Sequence, residues 1–68
     1  MNEDEHFRKA YELGVTSGQI ARAFEVPTSL IGLHESRRIQ REHHFTDEAV
    51  ICFMNGVDDA AAGLHGKW

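Results

Sequence analysis

The sequence predicts a small all-α domain of four to five helices. Its 68 residues leave room for one hydrophobic core. No stretch shows the strict alternation of apolar and polar residues that indicates a half-buried β-strand. One proline and six glycines divide segments in which apolar residues recur at helical spacing. We therefore expect a single domain, residues 1–68, in which short helices pack around one core.

The composition indicates a folded protein rather than a tail or a membrane segment. The chain is 41% hydrophobic and 26% charged, which is too apolar for a disordered tail. No run approaches the roughly 20 apolar residues of a membrane-spanning helix. The first five residues are acidic, unlike the basic start of a signal peptide. A single cysteine excludes an internal disulfide. These features predict a cytoplasmic protein without a membrane segment.

Patterns that would support catalysis or metal binding are weak. No nucleophile, base and orienting group stand at a recognisable spacing, so we expect the protein not to be an enzyme. The five histidines and Cys52 lack the paired spacing of zinc ligands, and we expect no metal site and no other cofactor. Cys52 lies inside an apolar run, which favours burial as a small hydrophobic residue over reactivity.

The net charge of −4 is unevenly distributed along the chain. With histidine counted as neutral, residues 1–5 carry −3, residues 6–43 carry +2 and residues 44–68 carry −3. A mildly basic centre therefore lies between two acidic ends. The acidic ends would repel nucleic acid, so tight binding to DNA would need a dimer that doubles the contacts.

The first 24 residues read as two helices. Apolar spacing predicts a helix over about Glu3–Leu13, with Gly14 as its C-terminal cap. Thr16 or Ser17 then offers an N-cap hydroxyl to a short second helix that ends at Phe24.

The remaining chain reads as a long helix and one or two shorter ones. Pro27 starts a third helix over about 28–43, with Thr28 or Ser29 as its cap. Thr46 caps a fourth helix, since two acidic residues follow it and suit the helix dipole. We place the end of that helix at Asn55-Gly56. A short last helix, capped by Asp58 or Asp59, then runs through Leu64, and Trp68 is either a loose end or docks on the fourth helix.

The apolar run over 49–54 predicts a surface for self-association. It is apolar on all sides, so this helix is buried either in the core or against a second copy of the chain. We expect a homodimer through this helix. The residues assigned to the dimer contact are Val50, Ile51, Phe53 and Met54. A faint repeat also links Gly14-Val15 to Gly56-Val57, 42 positions later.

Residues 16–35 carry a pattern of apolar and small side chains. Ala21 follows the branched Ile20, and the large Phe24 comes three residues later. Val26 fills the turn and Ile31 anchors the next helix. This order resembles the helix-turn-helix of prokaryotic DNA-binding proteins, especially the homeodomain-like domains of resolvases, transposases and phage regulators. In that family, two helices cross most closely at the small residue.

The resemblance covers residues 6–42 and implies a function. It implies a helix-turn-helix unit at 6–42, while the helices at 45–64 complete the core or mediate dimerisation. The helix that starts at Thr28 would enter the major groove of duplex DNA, with Glu25 in a left-handed conformation where the family usually has glycine. We therefore expect a small transcriptional regulator of phage or mobile-element type. The implied DNA contacts are Ser17, Arg22, Thr28, Ser29, Gly32, Leu33, Ser36, Arg37, Arg38 and Arg41.

A second interpretation stays open beside this one. The expected reading face has no Arg, Lys, Asn or Gln before Arg37 to make bidentate base contacts, and Leu33 beside Gly32 would also suit a protein groove. The three arginines at the end of that helix could equally serve its dipole. The alternative is a phage-type adaptor or inhibitor that keeps the helix-turn-helix scaffold but binds a host protein.

Overall fold

The described part of the chain consists of three α-helices. The structure, a computed structural model, describes residues 3–63, without the side chains of Glu3 and Leu33. Helix α1 spans Glu3–Phe24, α2 spans Thr28–His43 and α3 spans Asp47–Ala61. Residues 3–63 contain no β-strand. The all-α class is confirmed, while residues 3–63 hold three helices instead of four to five. None of these helices is both long and apolar enough to cross a membrane.

The predicted break between a first and a second helix is wrong, because α1 runs through it without interruption. A Cβ atom at Gly14 would lie 2.9 Å from the Phe53 carbonyl carbon and 3.0 Å from the Val57 nitrogen, so this glycine allows close contact with α3. It does not end a helix. The hydroxyl of Thr16 donates to the Glu12 carbonyl at 3.2 Å, as a side chain inside a helix does.

The predicted end of the fourth helix is also wrong. The helix continues through Asn55-Gly56 to Ala61, so Asp58 and Asp59 lie within α3 rather than at a new N-terminus. A Cβ atom at Gly56 would lie 2.9 Å from the Val15 nitrogen, so this glycine too permits close approach. The expectations for Leu64 and Trp68 fall outside the described residues.

The start of α3 is confirmed. Thr46 is its N-cap, and the Thr46 hydroxyl accepts a hydrogen bond from the Ala49 backbone N–H at 3.2 Å. Asp47 and Glu48 occupy the first turn, where carboxylates stabilise the helix dipole. The bounds of α2 also match the prediction. Its N-cap is Pro27, with no side-chain cap hydrogen bond, so neither Thr28 nor Ser29 caps it as expected.

Helices α1 and α3 pack side by side in the same direction. Gly56 lies against the backbone of Tyr11 and Val15, and Gly18, further along α1, lies against Ala60, further along α3. The Gly14-Val15 and Gly56-Val57 repeats therefore meet across the interface. The Tyr11 hydroxyl donates to Asp59 Oδ2 at 2.7 Å. Because glycine has no side chain, the backbones of α1 and α3 can approach closely at these positions; the distance between two helix axes depends on the size of the contact residues.

The core is small and contains few large side chains. Phe53 and Val57 are the largest that are fully buried among the described residues. Burying Phe53 contributes about 1.5–3 kcal/mol. Much of the remaining core is alanine. The buried hydrophobic residues are Ala10, Tyr11, Ala21, Ile39, Phe45, Ala49, Phe53, Val57 and Ala60.

Helix α2 runs back along the pair and packs mainly on α3. At its C-terminal end, the His43 ring stacks on Phe45 with a centroid distance of 5.2 Å, and Gln40 donates to Asp47 at 2.9 Å. Its contact with α1 is much smaller. Three residues join α1 to α2, and Glu25 adopts the left-handed conformation expected for it, with φ of 57°. α2 thus leaves a groove between itself and α1.

Candidate functional site: the arginine face and the apolar corner

The face that α2 turns to solvent differs from the one predicted. Gly32 is buried, and a Cβ atom there would lie 2.5 Å from Met54 Cε on α3. Ser36 is half-buried and its hydroxyl donates to the Gly32 carbonyl, and Thr28 is half-buried as well. Gly32, Thr28 and Ser36 therefore do not form an outward reading face, because α3 covers that side. The Leu33 side chain lies outside the described structure.

The outward side of α2 carries positive charge. We call the exposed set His34, Arg37, Arg38 and Arg41 the arginine face. His34, Arg37 and Arg41 share one side because they lie three, four and seven positions apart, and Arg38 borders that side, four positions after His34 and three before Arg41. Arg38 pairs with Glu35 at 2.5 Å. Among the described residues, neither Arg37 nor Arg41 forms an ion pair with a carboxylate.

The other predicted DNA contacts are scattered. Ser29 is exposed at the start of α2. Arg22 is exposed on α1, with its guanidinium beside Gly63 at the C-terminal end of α3. Ser17 is half-buried in the middle of α1, so no helix N-terminus supports it as a phosphate ligand. The structure brings Arg37, Arg38 and Arg41 together on α2 and leaves Arg22 apart from them, beside Gly63. Ser17 lies across a groove from Arg38.

An exposed apolar surface surrounds the turn between α1 and α2. We call Ile20, Phe24, Val26 and Leu30 the apolar corner. Phe24 is 75% exposed, Ile20 53%, Leu30 48% and Val26 38%. The resemblance rested on three of these residues, with Ile20 before the small Ala21, Phe24 after it and Val26 in the turn. The apolar corner is open to solvent.

The groove between α1 and α2 continues from the apolar corner. Ile20 belongs to both, and the groove encloses about 420 Å³. Its floor is mainly aliphatic, while Glu35 and Arg38 lie at its wall. Ile31, which the resemblance assigned as an anchor of α2, is half-buried against the core and lines the groove. The full lining is Leu13, Thr16, Ser17, Ile20, Ile31, Glu35, Arg38 and Ile39.

The sequence contained a signal for this surface. Leu13, Ser17, Ile20 and Phe24 lie at spacings of four, three and four, which places them on one side of a continuous helix. The predicted break at Gly14 divided that stripe between two helices and concealed it. In the continuous α1, these four residues form one stripe that faces the groove and the apolar corner.

The predicted dimer surface on α3 is largely used within the chain. Phe53 is fully buried and cannot contact a second copy, which corrects that assignment. Val50 and Met54 are half-buried and pack against the core. Ile51 is 60% exposed and is the member of the set that remains on the surface.

Comparisons with protein-family models, curated proteins and solved structures found no match for this chain. Within residues 3–63, no three histidine, cysteine or acidic side chains cluster closely enough to hold a metal ion. Cys52 is half-buried, and desolvation, followed by the negative charge of Glu48, raises the pKa of its thiol. A raised thiol pKa lowers the thiolate fraction and hence the reactivity at neutral pH.

Proposed function

We propose that the protein is a small DNA-binding regulator that contacts duplex DNA through the arginine face of α2. The observation that carries the proposal is the position of Arg37 and Arg41, exposed one turn apart on the outward side of α2. Guanidinium groups bind phosphate oxygens through two N–H donors and stay charged at all physiological pH values. We propose that this DNA binding regulates transcription.

The contacts would be made mainly to phosphates. α3 covers Gly32, so the middle of α2 cannot approach base edges through that side. The outward side offers His34 beside the arginines, and the exposed Ser29 lies at the other end of α2, which is a thin set for reading bases. Phosphate contacts carry little sequence information and position the protein on the duplex. We therefore expect binding that is weakly selective and strongly dependent on salt.

A titration of random-sequence duplex DNA tests the proposal. Three arginines on phosphates predict a slope of log K against log salt of about −3, so affinity should fall roughly 50-fold between 50 and 200 mM salt. In the double variant Arg37→Ala/Arg41→Ala, the slope should approach −1, because each lost phosphate contact reduces it by about 1. Fluorescence anisotropy of a labelled duplex measures both quantities.

Arg8→Ala is the matched control. Arg8 is also exposed but lies on α1, where it approaches Glu12 at 3.6 Å. This variant should bind DNA as the unchanged protein does, within the small effect of one unit of net charge. No measurable binding at 50 mM salt, or equal losses in the Arg8 variant and the double variant, would contradict the proposal.

A second candidate function is favoured by the apolar groove. An adaptor or inhibitor would take an apolar helix of a host protein between α1 and α2, where Ile20 and Ile31 line the groove. Such binding would be nearly independent of salt and unaffected by loss of Arg37 and Arg41. The same titration and the same variants therefore separate the two functions once a peptide ligand has been selected from a displayed helix library.

A further inference from the structure

We infer that Glu35 lowers the affinity for DNA, because its carboxylate competes with phosphate for the guanidinium of Arg38. In the free protein the two side chains form an ion pair. A phosphate group of the duplex must either displace the carboxylate from Arg38 or bind beside a like charge, and both weaken the contact. The inference rests on the proposed function and deepens it, since it assigns a residue that regulates the same site.

The first observation is the position of Arg38 between two surfaces of α2. Because successive residues advance by about 100° around a helix, Arg41 lies about 60° from Arg38 on one side and Glu35 about 60° on the other. Arg38 and Glu35 both line the groove between α1 and α2. Arg38 Nη2 lies 2.5 Å from Glu35 Oε2. The ion pair therefore holds the guanidinium on the groove side of α2, away from Arg41.

The second observation is the difference in exposure between the two partners. The Glu35 side chain is 31% exposed, whereas that of Arg38 is 61% exposed. Water screens a charge less where protein covers it, so the carboxylate attracts the guanidinium more strongly than a fully exposed one would. Glu35 is also the only acidic residue that lines this groove.

The third observation is that the ion pair affects one arginine of the arginine face. Among the described residues, Arg37 and Arg41 have no carboxylate partner, so their guanidinium groups are available to phosphate. Arg38 has to leave Glu35 before it can join them. Surface ion pairs change an equilibrium constant by up to about 5-fold. Glu35 therefore weakens the binding of DNA by a few-fold and does not abolish it.

Anisotropy titrations of the full chain with a labelled random-sequence duplex at 50 mM salt test the inference. Glu35→Gln keeps the shape of the side chain and removes its charge. It should raise the affinity about 4-fold, because Arg38 is released and no carboxylate remains beside the phosphate. Circular dichroism checks that the variant stays helical. Glu35→Ala removes the same carboxylate and provides a second test if the glutamine variant is poorly folded.

Glu42→Gln is the matched control. Glu42 is exposed on α2, four positions after Arg38, and forms no ion pair with another described residue. Its replacement removes the same charge from the same helix. We expect the affinity to rise by less than about 2-fold, because water and salt screen a charge that makes no direct contact. Equal gains from Glu35→Gln and Glu42→Gln would overturn the inference.

A double-mutant cycle tests whether the effect passes through Arg38. In a chain that carries Arg38→Ala, Glu35→Gln should raise the affinity no more than Glu42→Gln does, because the guanidinium that it would release is missing. A general effect of charge, or of the packing of α2, would be the same with and without Arg38. An undiminished gain in the Arg38→Ala chain would therefore overturn the inference.

The inference and the proposed function fail separately. No measurable binding of DNA by the unchanged chain or by these variants would contradict the proposed function, and this inference with it. Binding that depends on Arg37 and Arg41 but does not respond to Glu35→Gln would leave the proposed function intact and remove this inference alone.

Discussion

At the scale of single residues, the glycines of α1 and α3 have an unusual role. Glycine inside a helix normally costs about 1 kcal/mol relative to alanine. Here Gly14, Gly18 and Gly56 lie where two helix backbones meet. A methyl group at these positions would clash with the backbone of the neighbouring helix, which cannot move aside as a flexible side chain can. The close contact between α1 and α3 offsets the loss of helix propensity at these glycines.

Gly14→Ala should therefore destabilise the protein, against the usual effect of this substitution in a helix. We expect a loss of about 2 kcal/mol, since overpacking against backbone costs more than the gain in helix propensity. In a domain of this size, that lowers the melting temperature by about 10 °C. Thermal and urea denaturation followed by circular dichroism measure the change.

Gly32→Ala is the control for this prediction. The new methyl group would meet the Met54 side chain at Cε and Sδ, at 2.5 and 3.1 Å, and that flexible end can move away. Its net effect should be under about 1 kcal/mol, because the gain in helix propensity offsets the repacking. Equal losses from the two substitutions would show that α1 and α3 are not in close backbone contact.

At the scale of elements, two threonines distinguish a helix interior from a helix start. Thr16 lies within the continuous α1, whereas Thr46 caps α3. Thr46→Ala should destabilise the protein by about 1 kcal/mol through loss of the cap. Thr16→Ala should be neutral or stabilise it by up to about 0.5 kcal/mol, since alanine has the higher helix propensity. Urea denaturation gives both values, and a loss of about 1 kcal/mol in Thr16→Ala would indicate a helix that starts there.

Helix starts could be predicted from the sequence better than helix ends. Local chemistry predicted the start of α3 correctly, because the Thr46 cap and the acidic first turn depend only on nearby residues. It also predicted the bounds of α2, whereas the left-handed Glu25 was implied by the helix-turn-helix resemblance. It failed at Gly14 and Gly56, because glycine at a helix end and glycine at a close helix contact look alike in sequence. Only the tertiary partner distinguishes them.

The candidate site was predicted less well for a related reason. Of the nine expected DNA contacts whose burial the structure describes, five are exposed: Arg22, Ser29, Arg37, Arg38 and Arg41. On α2, the misplaced Thr28, Gly32 and Ser36 follow from assigning the covered side of that helix to solvent. Which side α3 covers depends on Met54 reaching Gly32, a contact between residues 22 positions apart. No pattern within α2 reveals it.

At the scale of the whole molecule, the three helices are unequally held. α1 and α3 share an extensive interface, while α2 rests mainly on α3 and leaves the groove open towards α1. Ile39 is the large buried side chain that α2 contributes to the core. Local opening is easiest where few apolar contacts must break. α2 is therefore the element expected to detach first.

Hydrogen exchange of the protein should reveal this order. We expect amides in the middle of α2 to exchange with an opening free energy about 2 kcal/mol below that of amides in the middle of α1 and α3, which open only with global unfolding. Equal protection of all three helices would mean that the packing of α2 is no weaker than the α1–α3 interface.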